Sequence, residues 1–237
     1  MRYKIVKYPI ISSPSPNFSE RDDTPIDMLI LHYTAVDFKT SMQILHDPEK
    51  QASSHYLIDR DGTIYQLVAD DKKAWHAGVS EWRGRKNLNL NSIGIEIVNS
   101  GYEPFEKKQI AALIYLLSRL TRRYHIKKTD ILGHMDVAPN RKIDPGQFFP
   151  WKTIAKKGFG IWPQTGTSRR LLTKEEAIIK LTQIGYGLNF DPDQDVALKT
   201  VLRSFQRHYL PHNITGRLDR KTSRVILNLL ESLNKVR

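Results

Sequence analysis

The 237-residue chain contains no cysteine. Disulfides, thiolate metal ligands, a cysteine nucleophile and a lipidated N-terminal cysteine are therefore excluded, and any metal must be held by histidine and carboxylate. Long apolar runs are also missing, none approaching the roughly 18 residues a membrane-spanning helix needs. The stretch Met1–Pro9 carries charge but lacks the apolar segment of about 7–15 residues that marks a secretory signal. As written, this fits a cytoplasmic protein, another export route, or a signal already removed. Acidic residues are in deficit, 25 Asp and Glu against 37 Lys and Arg, for a formal charge of +12. Such a balance suits nucleic acid, anionic lipid surfaces or carboxylate-bearing polymers. The basic residues are spread along the whole chain, so charge alone selects no partner. A nucleic-acid reading needs basic and aromatic residues clustered on one element, which the sequence lacks. Apolar content of 40% describes a globular chain, long enough for one large or two small domains.

Residues 11–26, rich in Ser, Pro and Asp, are expected to form an irregular surface segment. Met28–Leu31 is a continuous apolar run that fits a buried strand ending at His32. Thr40–Leu45 fits a short helix stopped at Asp47-Pro48. His55–Asp59 and Thr63–Val68 flank Arg60-Asp61-Gly62 and predict a hairpin. In Ile93–Val98 a period of two puts Ile93, Ile95 and Ile97 on one face and Glu96 on the other. After Pro104, residues Ile110, Leu113, Ile114, Leu117, Leu120 and Tyr124 recur at amphipathic-helix spacing, with Arg119, Arg122 and Arg123 toward the negative end of the helix dipole. Asp130–Gly133 is a short strand leading into His134.

This alternation predicts an α/β domain with a mixed central sheet flanked by helices over residues 1–160. Residues 161–171 read as a linker. Beyond it, three helical patterns capped at Thr173, Asp191 and Asp219 predict a small, separate all-α domain over 172–237. If it is a tethered module, its removal should spare chemistry on soluble substrates.

His32 and His134 each fall at the C-terminal end of an apolar strand, where active-site groups of α/β folds gather. Asp144 closes a tight loop after His134. Two His and one Asp leave a fourth position for water, the pattern of a catalytic rather than a structural zinc site. Zn²⁺ brings the pKa of bound water to about 7, a base must manage the proton, and positive charge must meet the oxyanion. Glu96 suits the first role and Lys142, two residues from a ligand, the second. His46, His55, His76 and His125 are rivals for ligation. Trp75-His76-Ala77-Gly78 and Trp82-Arg83-Gly84-Arg85 supply groups suited to a sugar face and a carboxylate.

Several stretches carry a resemblance: His32-Tyr33-Thr34-Ala35, Ser54–Gly62, Ala74-Trp75-His76-Ala77-Gly78, Ser92-Ile93-Gly94-Ile95-Glu96, Gly133-His134 and Lys142-Ile143-Asp144-Pro145-Gly146. Over roughly residues 25–152 the chain resembles the zinc-dependent N-acetylmuramoyl-L-alanine amidases of the AmpD/AmiD type, relatives of phage amidases and animal peptidoglycan recognition proteins. The resemblance implies Zn²⁺ on His32, His134 and Asp144, with Glu96 and Lys142 catalytic. The substrate it implies is the amide between the muramic acid lactyl group and L-Ala of the stem peptide. Tyr33, His55, Trp75, His76, Arg83, Arg85 and Asn99 are its candidate substrate contacts. Ile184-Gly185-Tyr186, Phe205-Gln206 and Gly216-Arg217-Leu218-Asp219 with Thr222 resemble a three-helix peptidoglycan-binding module. The expected partners are peptidoglycan and muropeptides, and the expected place is the periplasm or envelope, with the cytoplasm as alternative. A non-catalytic muropeptide-recognition protein is the alternative function. The oligomeric state is not readable.

Overall fold

The structure is a computed structural model that describes residues 8–236, so most of the charged N-terminal stretch lies outside the described residues. In chain order come β1 (Ile10–Ser12), β2 (Phe18–Glu20), β3 (Met28–Tyr33), α1 (Phe38–His46), β4 (Tyr56–Ile58), β5 (Ile64–Gln66) and β6 (Lys72–Ala74). Next are β7 (Glu81–Trp82), β8 (Arg85–Lys86), β9 (Ser92–Ile97), α2 (Lys107–Tyr124), β10 (Ile131–Gly133), α3 (His134–Val137) and α4 (Trp151–Lys156). Three helices follow: α5 (Lys174–Ile184), α6 (Gln194–Tyr209) and α7 (Arg220–Asn234).

Six strands form one mixed sheet in the order β1-β5-β4-β9-β3-β10, parallel except for the β4–β5 hairpin. The expected hairpin, strands and amphipathic helix are all present. β3 lies inside the sheet between β9 and β10, parallel to both and buried on both faces, which explains why its sequence is a continuous apolar run. Strand alternation then divides its side chains between two cores. Leu29 and Leu31 join Ile93, Ile95 and Ile97 beneath the apolar stripe of α2. Met28 and Ile30 face the other way. So, by the pairing of His32 with Glu96, do the two functional candidates.

That second face is covered by α5, α6 and α7. Met28, Ile30, Trp82, Leu88 and Leu132 share one core with Leu181, Ile184, Leu198, Val201, Phe205, Ile226 and Leu229. The three helices are thus not the detached bundle that the linker suggested. Their apolar stripes were legible, but each is wide enough to serve either a bundle or a sheet face. The intervening segment runs along α7, with the Gln164 and Leu172 amides donating to Ser232 Oγ and Ser223 Oγ at 3.2 Å each.

Two further expectations change. Within residues 11–26, β1 pairs in parallel with β5 and β2 pairs antiparallel with β6. These strands owe their form to distant partners and carry no local pattern. Asp193, rather than Asp191, caps α6, its carboxylate accepting from the amides of Asp195 and Val196.

Candidate metal centre

Three side chains from three segments converge on one point. His32 Nδ1 and His134 Nδ1 lie 3.0 Å apart, and each lies 3.0 Å from Asp144 Oδ2. β3 delivers His32, the first turn of α3 delivers His134, and the return loop delivers Asp144. That loop is tied back by the Met135 amide, which donates to Asp144 O at 2.8 Å. Both imidazoles are buried.

Outer hydrogen bonds set the tautomers. His134 Nε2–H donates to Ala77 O at 3.1 Å, leaving Nδ1 of the neutral ring with its lone pair exposed. His32 Nε2–H donates to His76 Nδ1 at 3.1 Å, and His76 Nε2–H to Ser92 Oγ at 3.2 Å. Two imidazole lone pairs and a carboxylate oxygen then face each other with no proton to share. Such a set repels itself unless a cation sits between, and three N/O donors fit a divalent ion that keeps a position open.

Burial, the neighbouring His134 and Lys142 push His32 down to about 4, partly offset by Asp144. His32 is therefore neutral and available to a metal throughout the physiological range. Burial works against the Asp144 charge, but contacts with His134 and His32 outweigh it and hold the carboxyl well below the usual range.

Glu96 sits beside His32 in the sheet register. Its Oε2 is shut off from solvent and has no hydrogen-bond partner. Burial first and Asp144 second push its carboxyl up to about 8, with Lys142 opposing. Lys142 thus acts on both Glu96 and His32 through its field, and among the described residues its ammonium forms no ion pair. The centre as found holds a donor triad, a carboxyl with one unused oxygen, and an uncommitted cation.

The remaining sequence candidates are distributed differently. Tyr33 is half-buried, its ring lying against Gly101 and Gly146 at the edge of the centre. His76 is buried behind His32 as its hydrogen-bond partner. His55 is fully buried, its Nδ1 accepting from the Gly94 amide at 3.0 Å. Trp75 is half-buried, with Nε1–H donating to Ser19 Oγ. Arg83 pairs with Asp130 at 2.8 Å and Arg85 with Asp27 at 2.6 Å, so neither guanidinium is held for a ligand. Asn99 is buried and shapes its own loop, Oδ1 accepting from the Gly101 amide and Nδ2 donating to Glu103 O.

His76 can occupy its place because position 94 has no side chain. A Cβ at Gly94 would fall 2.4 Å from His76 Cγ, inside any tolerable contact. Gly94→Ala is expected to displace His76, free the His32 ring and weaken divalent-metal affinity by about ten- to a hundredfold. Competition with a metal-sensitive dye measures this, and unchanged affinity would remove His76 from the support of the centre.

Sequence reading missed a buried polar node beneath α3. Asp136 accepts from Tyr186 OH and from His208 Nδ1–H at 2.8 Å each, and from the Gly133 amide at 2.8 Å. His208 is sandwiched between the rings of Trp151 and Tyr209, each 4.0 Å away. Ser204 Oγ–H donates to Met135 O at 2.5 Å. The helical part therefore grips the turn that carries His134. A polar Asp136 within an otherwise apolar turn was the available signal; its partners 50 and 72 residues away left none.

Most of the module-like signature residues are likewise internal, Ile184, Tyr186, Phe205, Gln206, Gly216 and Thr222 being buried while Arg217 is exposed. Gln206 Oε1 accepts from the Thr215 and Gly216 amides, while its Nε2 donates to Arg217 O and Thr222 Oγ1. Tyr186 packs edge-on against Trp82 at 5.0 Å.

With this geometry in hand, comparison with known proteins gives a consistent set. Residues 22–147 match the family Amidase_2, N-acetylmuramoyl-L-alanine amidase. The chain is 38% identical over 231 residues to the N-acetylmuramoyl-L-alanine amidase AmiD of Escherichia coli, covering 87% of this chain and 83% of that protein. It is 35% identical over 158 residues to the 1,6-anhydro-N-acetylmuramyl-L-alanine amidase AmpD of Haemophilus influenzae, covering 58% and 86%. Among solved structures, the complex of E. coli AmiD with anhydro-N-acetylmuramic acid-L-Ala-D-gamma-Glu-L-Lys is similar at TM-score 0.81 and 35% identity, over 92% of this chain and 98% of that one. AmpDh3 of Pseudomonas aeruginosa with anhydromuramic pentapeptide is similar at TM-score 0.81 and 34% identity, over 92% and 95%.

Proposed function

The chain belongs to the N-acetylmuramoyl-L-alanine amidase family, and from that premise we propose that it is a zinc-dependent hydrolase of muropeptides. The bond cleaved is the amide between the lactyl group of N-acetylmuramic acid and L-Ala of the stem peptide, in cell-wall turnover or recycling. The observation that carries this reading is the convergence of His32 Nδ1, His134 Nδ1 and Asp144 Oδ2 beside the unpartnered Glu96 oxygen.

His32, His134 and Asp144 would hold the zinc, which when bound supplies Lewis acidity at the scissile carbonyl and acidifies water at the site. Glu96 takes a proton from the attacking water and passes it to the departing L-Ala nitrogen. A carboxyl tuned upward by burial suits both halves of that transfer. The Lys142 ammonium, unpaired and close enough to act on Glu96, stabilises the developing oxyanion. Tyr33 forms one wall of the approach. Helices α5 to α7 are read as a wall-binding part that keeps the enzyme on its polymer, and an envelope location follows from that substrate.

Incubation with purified peptidoglycan is expected to release stem peptides beginning with L-Ala. A chelator should abolish the release and added zinc restore it, as followed by mass spectrometry. A protein that sediments with the polymer and releases nothing under any of these conditions would be a recognition protein instead.

A further inference from the structure

Helix α6 presents a cation with no counter-charge to the edge of the centre. Ser204 and His208, one turn apart, face α3. Arg207 lies beside them on the helical surface, at the margin of that contact. Its side chain is half-buried, and its Nε is out of reach of solvent without a hydrogen-bond partner. Among the described residues no carboxylate pairs with it.

Its field reaches the Tyr33 phenol, next to His32 in the chain. The neighbouring cation is Arg203, one turn away on the same stripe and repulsive. A partly desolvated guanidinium beside a like charge is unfavourable unless an anion completes it. Burial and Arg203 accordingly hold Arg207 below its ordinary range. Arg83 and Arg85 are already paired, with Asp130 and Asp27, and Arg141 is committed to the Ala77 and Val79 carbonyls.

We propose that Arg207, with Arg203 behind it, forms a carboxylate-binding subsite on the rim of the centre, supplied by the helical part of the chain. This rests on the muropeptide reading above and deepens it. In a stem peptide whose glutamate is linked through its γ-carboxyl, the α-carboxylate stays free one residue beyond the scissile amide. A free carboxylate so near the reacting bond calls for a cation near the donor triad, and Arg207 on α6, the helix packed against the His134 turn, is one without a counter-charge. The planar guanidinium fork is suited to a carboxylate, which it grips through two parallel hydrogen bonds. The two halves of the chain then divide the substrate: the sheet face carries the reacting amide and α6 reads the peptide.

The test pairs two soluble muropeptides that differ only in whether the glutamate α-carboxylate is free or amidated, with wild type and Arg207→Gln. For wild type, amidation is expected to raise KM about ten- to a hundredfold with kcat little changed. Arg207→Gln should show a similarly raised KM for the free-acid substrate and no longer distinguish the two. Arg207→Lys should recover part of the preference, since charge remains while the fork is lost. Metal affinity serves as the control and should not move, while the melting temperature of Arg207→Gln without ligand should not fall below wild type, since a poorly solvated charge beside Arg203 is removed. If Arg207→Gln still prefers the free acid as strongly as wild type does, or if wild type shows no preference, the subsite is wrong while the amidase reading stands. If wild type with zinc cleaves neither substrate, the amidase reading itself fails.

Discussion

Replacing Glu96 with alanine is expected to lower turnover of a soluble muropeptide by about a hundred- to ten-thousandfold, the range removed with a general acid–base group. Zinc content and binding to the polymer should persist, because Glu96 touches none of the three donor atoms. Undiminished hydrolysis would remove Glu96 from the proton path.

The same residue predicts a pH-dependent gain in stability. Its carboxyl is raised from 4.5 to about 8 in the folded protein, by burial and then by Asp144. Between those values the metal-free native state keeps a proton that the unfolded chain releases, so stability falls as pH rises through this window. Below about pH 4.5 both states are protonated and no difference remains. Glu96→Gln abolishes the titration while keeping the shape. The metal-free variant should therefore melt above wild type at pH 9 and level with it near pH 4. Equal melting at both would mean that the carboxyl is solvated and untuned, and its suitability as a base would lose its physical ground. The expected pairing of lost turnover with gained stability is that of a group held in a costly environment for its chemistry.

Truncation after residue 171 is the second large effect. A tethered wall-binding part could be removed with soluble activity intact, as the linker and the composition change suggest. The structure predicts otherwise. Without α5 to α7, the apolar face formed by Met28, Ile30, Ala77, Trp82, Leu88, Leu132 and Val137 would meet water. Each large side chain among these contributes about 1.5–3 kcal/mol by burial, and together they rival the whole stability of an ordinary domain, about 5–15 kcal/mol. The truncated chain should be insoluble or unfolded, and inactive on soluble and polymeric substrates alike. A well-folded truncation that cleaves soluble muropeptides at the full rate would show the helices to be a tether after all.

His208→Ala examines the same coupling without removing an element. It takes one of three hydrogen bonds from the buried Asp136 carboxylate and opens space between Trp151 and Tyr209. A loss of about 1–3 kcal/mol is expected from the unmet carboxylate, with weaker metal retention because the His134 turn is loosened. Chemical denaturation and metal competition separate the two. If stability falls and metal affinity does not, the node holds the fold together without shaping the centre.

The positions of the donors were legible in the sequence for a physical reason. His32 ends an apolar run and His134 follows another, so both are placed at strand ends by backbone periodicity alone. Asp144 lies ten residues on, within a loop that can only return. A period of two puts Glu96 on the face away from three isoleucines, a consequence that no packing detail can alter. His76 and His55 show where such reading stops. Both look like site residues because they are histidines in loops near strands. Gly94, however, opens a hole into which His76 folds to support His32, and His55 accepts a backbone amide in the interior. Arg83, Arg85 and Asn99 are similar, since their partners Asp130, Asp27 and Glu103 can be named only once the chain has folded.

By itself, then, the sequence determined what depends on nearest neighbours: the strands and helices with strong periodicity, the caps at Thr173 and Asp219, and the donor set of histidine and carboxylate imposed by the absence of cysteine. Only the tertiary structure decided which face each amphipathic helix covers. An apolar stripe states that it must be buried and not against what. The same limit hid β1 and β2, Asp136 with His208 and Tyr186, and the packing of α6 against α3. Each of these is a contact between segments far apart in the chain, where local pattern carries no information and packing makes the choice.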